Sequence, residues 1–128
     1  MDYQKIRVST EGGVATVTLA DPSTLNAASL EIARELIHAF SSIAAGKIEA
    51  RAVILTGEGR GFCSGAGIGK EETGDGHNPM DTLLHGNRAI QAIVAMPRPV
   101  VAVVHGPTAG IGVSLALACD LVLASTEA

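Results

Sequence analysis

Val100-Val101-Ala102-Val103-Val104-His105-Gly106-Pro107-Thr108-Ala109-Gly110-Ile111-Gly112 is the stretch whose reading decides the fold. Five aliphatic residues in succession predict a strand covered on both faces. The glycines and Pro107 then turn the chain, and the apolar run over roughly Val113–Cys119 predicts a buried helix. From Val100 to Cys119 there is no acid, lysine or arginine, so the run imitates a membrane span. Glycine and proline interrupt it at the centre, where a spanning helix is continuous, and a strand, turn and helix explain it better than a bilayer does. The chain therefore reads as soluble.

The same arrangement occurs once more upstream, where Ala52-Val53-Ile54-Leu55-Thr56 runs into the glycine-rich segment Gly57–Gly69. Glycine lets a backbone approach a ligand closely. Two such turns side by side can aim two peptide N–H groups at one point, which is the device that stabilises charge growing on a carbonyl oxygen.

Outward from these two units the elements alternate. Ile6–Ser9 and Val14–Leu19 read as strands joined by a Glu11-Gly12-Gly13 hairpin. Asp21-Pro22-Ser23 opens a loop, and Ser29 is placed to cap a helix. Ile32, Leu36, Phe40 and Ile43 continue that helix at 3.6-residue spacing until Gly46. Lys70–Pro79 is acidic, glycine-bearing and aperiodic, and reads as a surface loop. A second helix fits Asp81–Met96, with Leu83, Leu84, Ile90, Ile93 and Val94 facing inward and Pro97 and Pro99 stopping it. A last strand covers Leu121–Ala124. Strands alternating with helices indicate an α/β domain with covered parallel strands. The sequence stops at Ala128, just after that strand, which reads as buried, so a further element covering the sheet is expected beyond it.

Composition narrows the function. The chain of 128 residues is 47% apolar but only 2% aromatic, so no aromatic platform exists for stacking bases or sugars. Its net charge of −4 and nine scattered basic residues give no footprint for nucleic acid. Cys63 and Cys119 fit no metal or redox spacing and read as structural thiols of a reducing cytosol. Met1–Ser9 lacks the apolar core of a signal peptide. Asp75-Gly76-His77 is too sparse a set for a metal, and Glu71, Glu72 and Glu127 read as surface charges.

Gly65-Ala66-Gly67-Ile68-Gly69 offers a G-x-G-x-G string, but a dinucleotide fingerprint continues through G-x-x-G into a helix. A phosphate-binding P-loop needs Gly-Lys-Ser/Thr, and Gly69-Lys70 is followed by Glu71. Neither nucleotide-binding reading fits. Ser114, at a helix start, could act as a nucleophile only with a histidine base and an orienting acid. Of the four histidines, His38, His77, His85 and His105, none is placed by sequence to serve it.

Several blocks together resemble the crotonase family, the enoyl-CoA hydratase/isomerase superfamily. They are Asn26-Ala27, Gly61 to Ile68, Arg98 to Gly106, Ala109 to Gly112 and Ala118 to Ser125, in order along the whole chain. The resemblance implies a crotonase-like ββα superhelical core, of the Clp-protease/crotonase type, over residues 1–128 as a partial domain with its C-terminal part absent. It also implies an acyl-CoA thioester site. The backbone N–H groups of Ala66 and Ile111 would grip the thioester oxygen, the second at the start of a helix whose dipole adds a favourable field. Ala27, Ser64, Gly65, Ala66, Gly67, Ile68, Gly110 and Ile111 would line the acyl-CoA path. The implied protein is cytoplasmic, takes an acyl-CoA substrate and needs no cofactor beyond the coenzyme A carried on that substrate. It holds no metal, nucleic acid or membrane, and assembles as a homotrimer or hexamer at full length.

Two departures matter. The aspartate that often follows the turn alanine in that family is Gly67 here. The first of the two hydratase glutamates would stand three residues past the second oxyanion donor, and that position is Ser114. The second would fall past Ala128. A serine at the first position resembles single-carboxylate members such as the enoyl-CoA isomerases. The expected activity is that of an enoyl-CoA hydratase or isomerase stabilising a thioester enolate. The alternatives are a non-catalytic acyl-CoA-binding or assembly fragment and, more remotely, a Clp-like serine peptidase. Unpaired strand edges over Leu121–Ala128 are expected to make this chain prone to association.

Overall fold

The structure, a computed structural model, describes residues 2–65 and 79–128. In chain order these form β1 (Ile6–Glu11), β2 (Val14–Leu19), a 3-10 turn (Pro22–Thr24), α1 (Leu30–Ala44), β3 (Ala52–Gly57), α2 (Pro79–Val94), β4 (Val100–Val104), α3 (Ile111–Leu117) and β5 (Leu121–Ala124). The strands lie in sequential order β1-β2-β3-β4-β5. The β1–β2 pair is antiparallel, and every later neighbour is parallel. The mixed α/β class expected from the sequence is therefore the one observed.

The first two strands meet through a two-residue turn rather than the three-residue one expected. Strand β1 runs on through Glu11, which pairs with Val14, leaving Gly12 and Gly13 at φ of 60° and 83°. Positive φ at both central residues is the turn geometry whose twist matches paired strands. Upstream of β1 the chain is held by Glu35 of α1. Its carboxylate accepts from the N–H groups of Gln4, Lys5 and Ile6 at 2.8, 2.8 and 3.1 Å. These bonds satisfy a carboxylate that is almost wholly buried.

A sheet built in sequential order with crossovers of one hand carries its helices on one side. Ala15, Val17 and Leu19 of β2, Val53 and Leu55 of β3, and Val100, Ala102 and Val104 of β4 form the core with α1, α2 and α3. The register puts Ala15 beside Val53 and Val53 beside Val100, so these residues share one face. The alternate positions, among them Ile54, Val101 and Val103, are only half-buried. Double coverage of the strands, expected from their unbroken apolar runs, is thus corrected for the described residues. One face is fully covered and the other partly.

Ser29 caps α1, its hydroxyl accepting from Ile32 N–H at 3.2 Å, a contact that satisfies one of the four orphan donors at a helix start. Ile32, Leu36, Phe40 and Ile43 are buried in the core, as their spacing predicts. In α2 the expectation fails in part. Leu83, Leu84 and Val94 are 54%, 46% and 67% exposed, and only Ile93 is fully buried, with Ile90 half-buried. The buried stripe is Thr82, Gly86, Ala89 and Ile93. Small residues at that spacing let α2 approach its neighbours closely, and close approach wins over the larger apolar area on the other side.

Helix α3 begins at Ile111, two residues ahead of the expected start, because Gly110 takes φ 54° and turns the chain directly into it. Asp120 then ties β5 to β4. Its N–H donates to the Val100 carbonyl at 2.8 Å, and its carboxylate accepts from the Val100 N–H at 2.8 Å. Among the described residues no helix is long and apolar enough to cross a membrane.

Candidate active site at the paired glycine turns

The two glycine turns leave the C-terminal ends of the adjacent parallel strands β3 and β4, so the topology alone brings their origins together. The backbones then stay in contact residue by residue. A Cβ added to Gly106 would stand 1.9 Å from the Arg60 carbonyl oxygen, and one on Gly61 would stand 3.0 Å from that of Pro107. Further along, Cys63 and Thr108 form a parallel bridge, and the Ala109 N–H donates to the Cys63 carbonyl at 3.1 Å. A Cβ on Gly110 would be 3.6 Å from Gly65 Cα. His105 adds a side-chain tie, its Nε2–H donating to the Gly59 carbonyl at 2.7 Å. The two turns thus run against each other as far as Gly65.

The early loop clamps this assembly from a third side. Asn26 has no solvent exposure. Its Oδ1 accepts from Asp21 N–H at 2.8 Å, and its Nδ2 donates to the carbonyls of Glu58 and Gly61, both at 2.9 Å. The backbone around it sits at φ 55° for Leu25 and 56° for Asn26. That left-handed conformation is one asparagine tolerates better than most side chains. Around it the backbones interlock. Ala28 N–H donates to Gly65 O at 2.7 Å, Ser64 N–H to Leu25 O at 2.9 Å, and Ser64 Oγ to Thr24 O at 2.9 Å. The Ala27 N–H reaches Thr24 Oγ1 at 3.2 Å. The structure thus brings Ala27, Ser64, Gly65, Gly110 and Ile111 of the expected acyl-CoA path to one place. Ala66, Gly67 and Ile68 lie outside the described residues, as do Glu71, Glu72, Asp75 and His77.

At the second turn the N–H groups of Gly112 and Val113 donate to the carbonyls of Ala109 and Gly110, at 2.8 and 3.0 Å. The N–H of Ile111, which opens α3, stands outside this set of bonds. Behind it Gly112 packs on the first turn: a Cβ there would lie 2.4 Å from the Cys63 carbonyl oxygen. Only glycine permits that approach, and it holds the start of α3 against the first turn.

Among the described residues, several titratable side chains are engaged in contacts of their own. Arg7 pairs with Glu58 in a close charge-assisted contact, and Lys5 pairs with Asp21 at 3.4 Å. His38 shares a hydrogen bond with the Tyr3 hydroxyl at 2.9 Å, and His85 Nδ1–H donates to the Asp81 carbonyl at 2.9 Å. Ser114 is exposed on α3. Burial pushes the Cys63 thiol above its ordinary range, against a smaller lowering from hydrogen bonds of the Gly65 and Ala28 backbone. Cys119 is pushed up to about 12 by burial, with the Asp120 charge adding to it. Both stay protonated at neutral pH and are poor nucleophiles. No group of three or more metal-ligating side chains occurs among the described residues.

Sequence reasoning quoted Asn26 only as part of a pattern and missed its role as a clamp. The signal the sequence carries is an asparagine between Leu25 and Ala27, just before the Ser29 cap, since an uncharged amide can serve three backbone groups at once.

Comparison with known proteins bears on the whole chain. A protein of Rhodobacter capsulatus described as a probable enoyl-CoA hydratase is 40% identical over 130 residues, covering all of this chain and 49% of its own length. Among solved structures, an enoyl-CoA hydratase from Mycobacterium avium subsp. paratuberculosis superposes with a TM-score of 0.85 at 42% identity, over 99% of this chain and 49% of that one. An enoyl-CoA hydratase from Bacillus anthracis gives a TM-score of 0.88 at 28% identity, over 98% and 49% of the two chains. The chain spans about half the length of the curated relatives it matches. Its fold is that of a partial crotonase domain. The model of the enoyl-CoA hydratase/isomerase family matches residues 9–128, and this chain, with its paired glycine turns, belongs to that family.

Proposed function

We propose that the paired turns bind the thioester of an acyl-CoA and stabilise its enolate, in an enzyme of the hydratase or isomerase type. The N–H groups of Ala66 and Ile111 are the two donors to the thioester oxygen. The observation that carries this reading is the continuous backbone contact between the turns, from Gly61 on Pro107 to Gly65 on Gly110. Withdrawing a proton beside a thioester puts negative charge on its oxygen. Two donors already fixed in place stabilise that charge without reorganising as it develops. Proton transfer itself requires a carboxylate near the two donors.

A second reading, an acyl-CoA-binding fragment without turnover, is favoured by Ser114 at the first hydratase-glutamate position and by the pairing of Glu58 with Arg7. Turnover of crotonyl-CoA and of a 3-enoyl-CoA by the purified chain separates the two. Binding without turnover supports the fragment. Where the chain turns substrate over, replacing Ile111 or Ala66 by proline deletes a donor N–H. Loss of one such donor lowers turnover on the order of 10²-fold or more. Wild-type behaviour from both proline variants would remove the oxyanion assignment.

A further inference from the structure

The start of α3 is held from two sides by missing side chains. On one side Gly112 rests on the Cys63 carbonyl. On the other, a Cβ built on Gly86 of α2 would lie 2.6 Å from Ile111 Cδ1, far inside the contact distance of two carbons. Gly86 is buried on the same stripe of α2 as Thr82, Ala89 and Ile93, in a helix interior where glycine is a poorer helix former than alanine. The tip of the Ile111 side chain occupies the notch that Gly86 leaves.

We infer that Gly86 is a positioning residue: its notch seats the Ile111 side chain and so fixes the direction of the Ile111 N–H toward the thioester oxygen. The inference rests on the reading of that N–H as a donor. Isoleucine in a helix has essentially one χ1 rotamer, so its branch point follows the backbone and only Cδ1 turns, at χ2, within the packing around it. A methyl group pushed into the notch cannot be relieved at χ1. It must turn Cδ1 at χ2 or shift the first turn of α3, whose Gly112 rests on the Cys63 carbonyl.

The test is a four-protein cycle on the purified chain: wild type, Gly86→Ala, Ile111→Val and the double variant. Ile111→Val removes Cδ1 and keeps both the β-branch and the N–H. Acetoacetyl-CoA, whose thioester enolises readily, and free CoA are titrated calorimetrically, with melting temperatures recorded in parallel. Gly86→Ala is expected to weaken acetoacetyl-CoA binding about tenfold while free CoA changes by less than about twofold. Adding Ile111→Val restores wild-type affinity, with a melting temperature no lower than that of Ile111→Val alone.

Unchanged acetoacetyl-CoA affinity in Gly86→Ala overturns the inference. So does a parallel loss for both ligands, which is what a general packing defect produces. If Gly86→Ala alone does not fold, the double variant decides: affinity equal to wild type supports the notch, and weakened affinity overturns it. A wild-type chain that binds acetoacetyl-CoA no more tightly than CoA removes the donor reading itself and the inference with it. That outcome is seen before any variant is compared.

Discussion

The carboxamide of Asn26 donates to the carbonyl of Gly61 at 2.9 Å, across 35 residues of sequence and with no exposure to solvent. The same Nδ2 holds the Glu58 carbonyl, and Oδ1 holds the Asp21 N–H. One small side chain therefore fixes the entrance of the first glycine turn to the loop that precedes α1. Ala28 and Ser64 complete that seam through the backbone.

Replacing Asn26 by alanine leaves three backbone groups without their partner, the Gly61 carbonyl buried and the Asp21 N–H and Glu58 carbonyl half-buried. Each unsatisfied buried group costs about 1–3 kcal/mol, partly relieved where water can enter. We expect Asn26→Ala to lower unfolding stability by about 3 kcal/mol, read from the midpoint of a urea transition at unchanged slope. Asn26→Asp keeps the acceptor and loses both donations, and is expected to be no better. A loss below about 0.5 kcal/mol, the range of an ordinary surface substitution, would show that the clamp does not hold the turn.

Strand and helix identities were legible because their signals are local. Unbroken aliphatic runs marked β3 and β4, and Ser29 with Ile32, Leu36 and Phe40 marked α1. The turns were legible as glycine-rich, and their meeting at Cys63 and Thr108 follows once β3 and β4 are known to be parallel neighbours. The inward face of α2 was not legible. Leu83, Leu84 and Val94 have the larger apolar side chains, yet the packed stripe is the one with Gly86 and Ala89. How closely two helices approach depends on their partners, which no single segment records. Gly86 likewise reads in sequence as a weak point in a helix, and only the position of Ile111 Cδ1 gives it a use.

Gly112→Ala addresses the packing of α3 on the first turn. Its methyl would meet the Cys63 carbonyl oxygen at 2.4 Å and the Cys63 side chain at 2.9 Å. The obstacle on one side is backbone, which yields less readily than a side-chain tip. The variant is expected to be less stable by about 1–3 kcal/mol, the range for overpacking a tight contact. It should also discriminate between acetoacetyl-CoA and CoA less than wild type does. Undiminished discrimination in a folded Gly112→Ala protein would uncouple the second donor from the first turn.

The cysteines make a pH prediction. Cys119 is held to about 12, against about 9 for an unburied thiol, so the folded state disfavours its thiolate. Its contribution to stability is complete below the unfolded value and is lost as pH rises from about 9 toward 12. Stability should therefore decline over that alkaline interval, and Cys119→Ser, which has no thiol to ionise there, should flatten the decline. Cys63 is shifted in the same direction by burial. Both should react slowly with iodoacetamide at pH 8 in the native chain and rapidly in urea. Fast native alkylation of either would contradict the burial that raises them.

The edge strand β5 exposes apolar side chains on both of its faces. Leu121, Val122 and Leu123 are 65%, 42% and 63% exposed, and Leu117 at the end of α3 is 71% exposed. An unpaired strand edge with an apolar surface is a template for association. Native edges suppress this with charge, and lysine is the usual device. We expect the purified 128-residue chain to associate with rising concentration, seen as an increasing sedimentation coefficient. The double change Leu121→Lys and Leu123→Lys should reverse it. Both side chains are mostly in solvent, so the cost to folding should stay within about 0.5 kcal/mol each. The core contacts of β4, through Val100, Ala102 and Val104, are untouched by the change. A chain that stays monomeric at all concentrations, or one whose association ignores both lysines, would place the contact surface elsewhere on the molecule. The exposed Leu83 and Leu84 of α2 would then be the next pair to charge, since they present the other row of large apolar side chains to water.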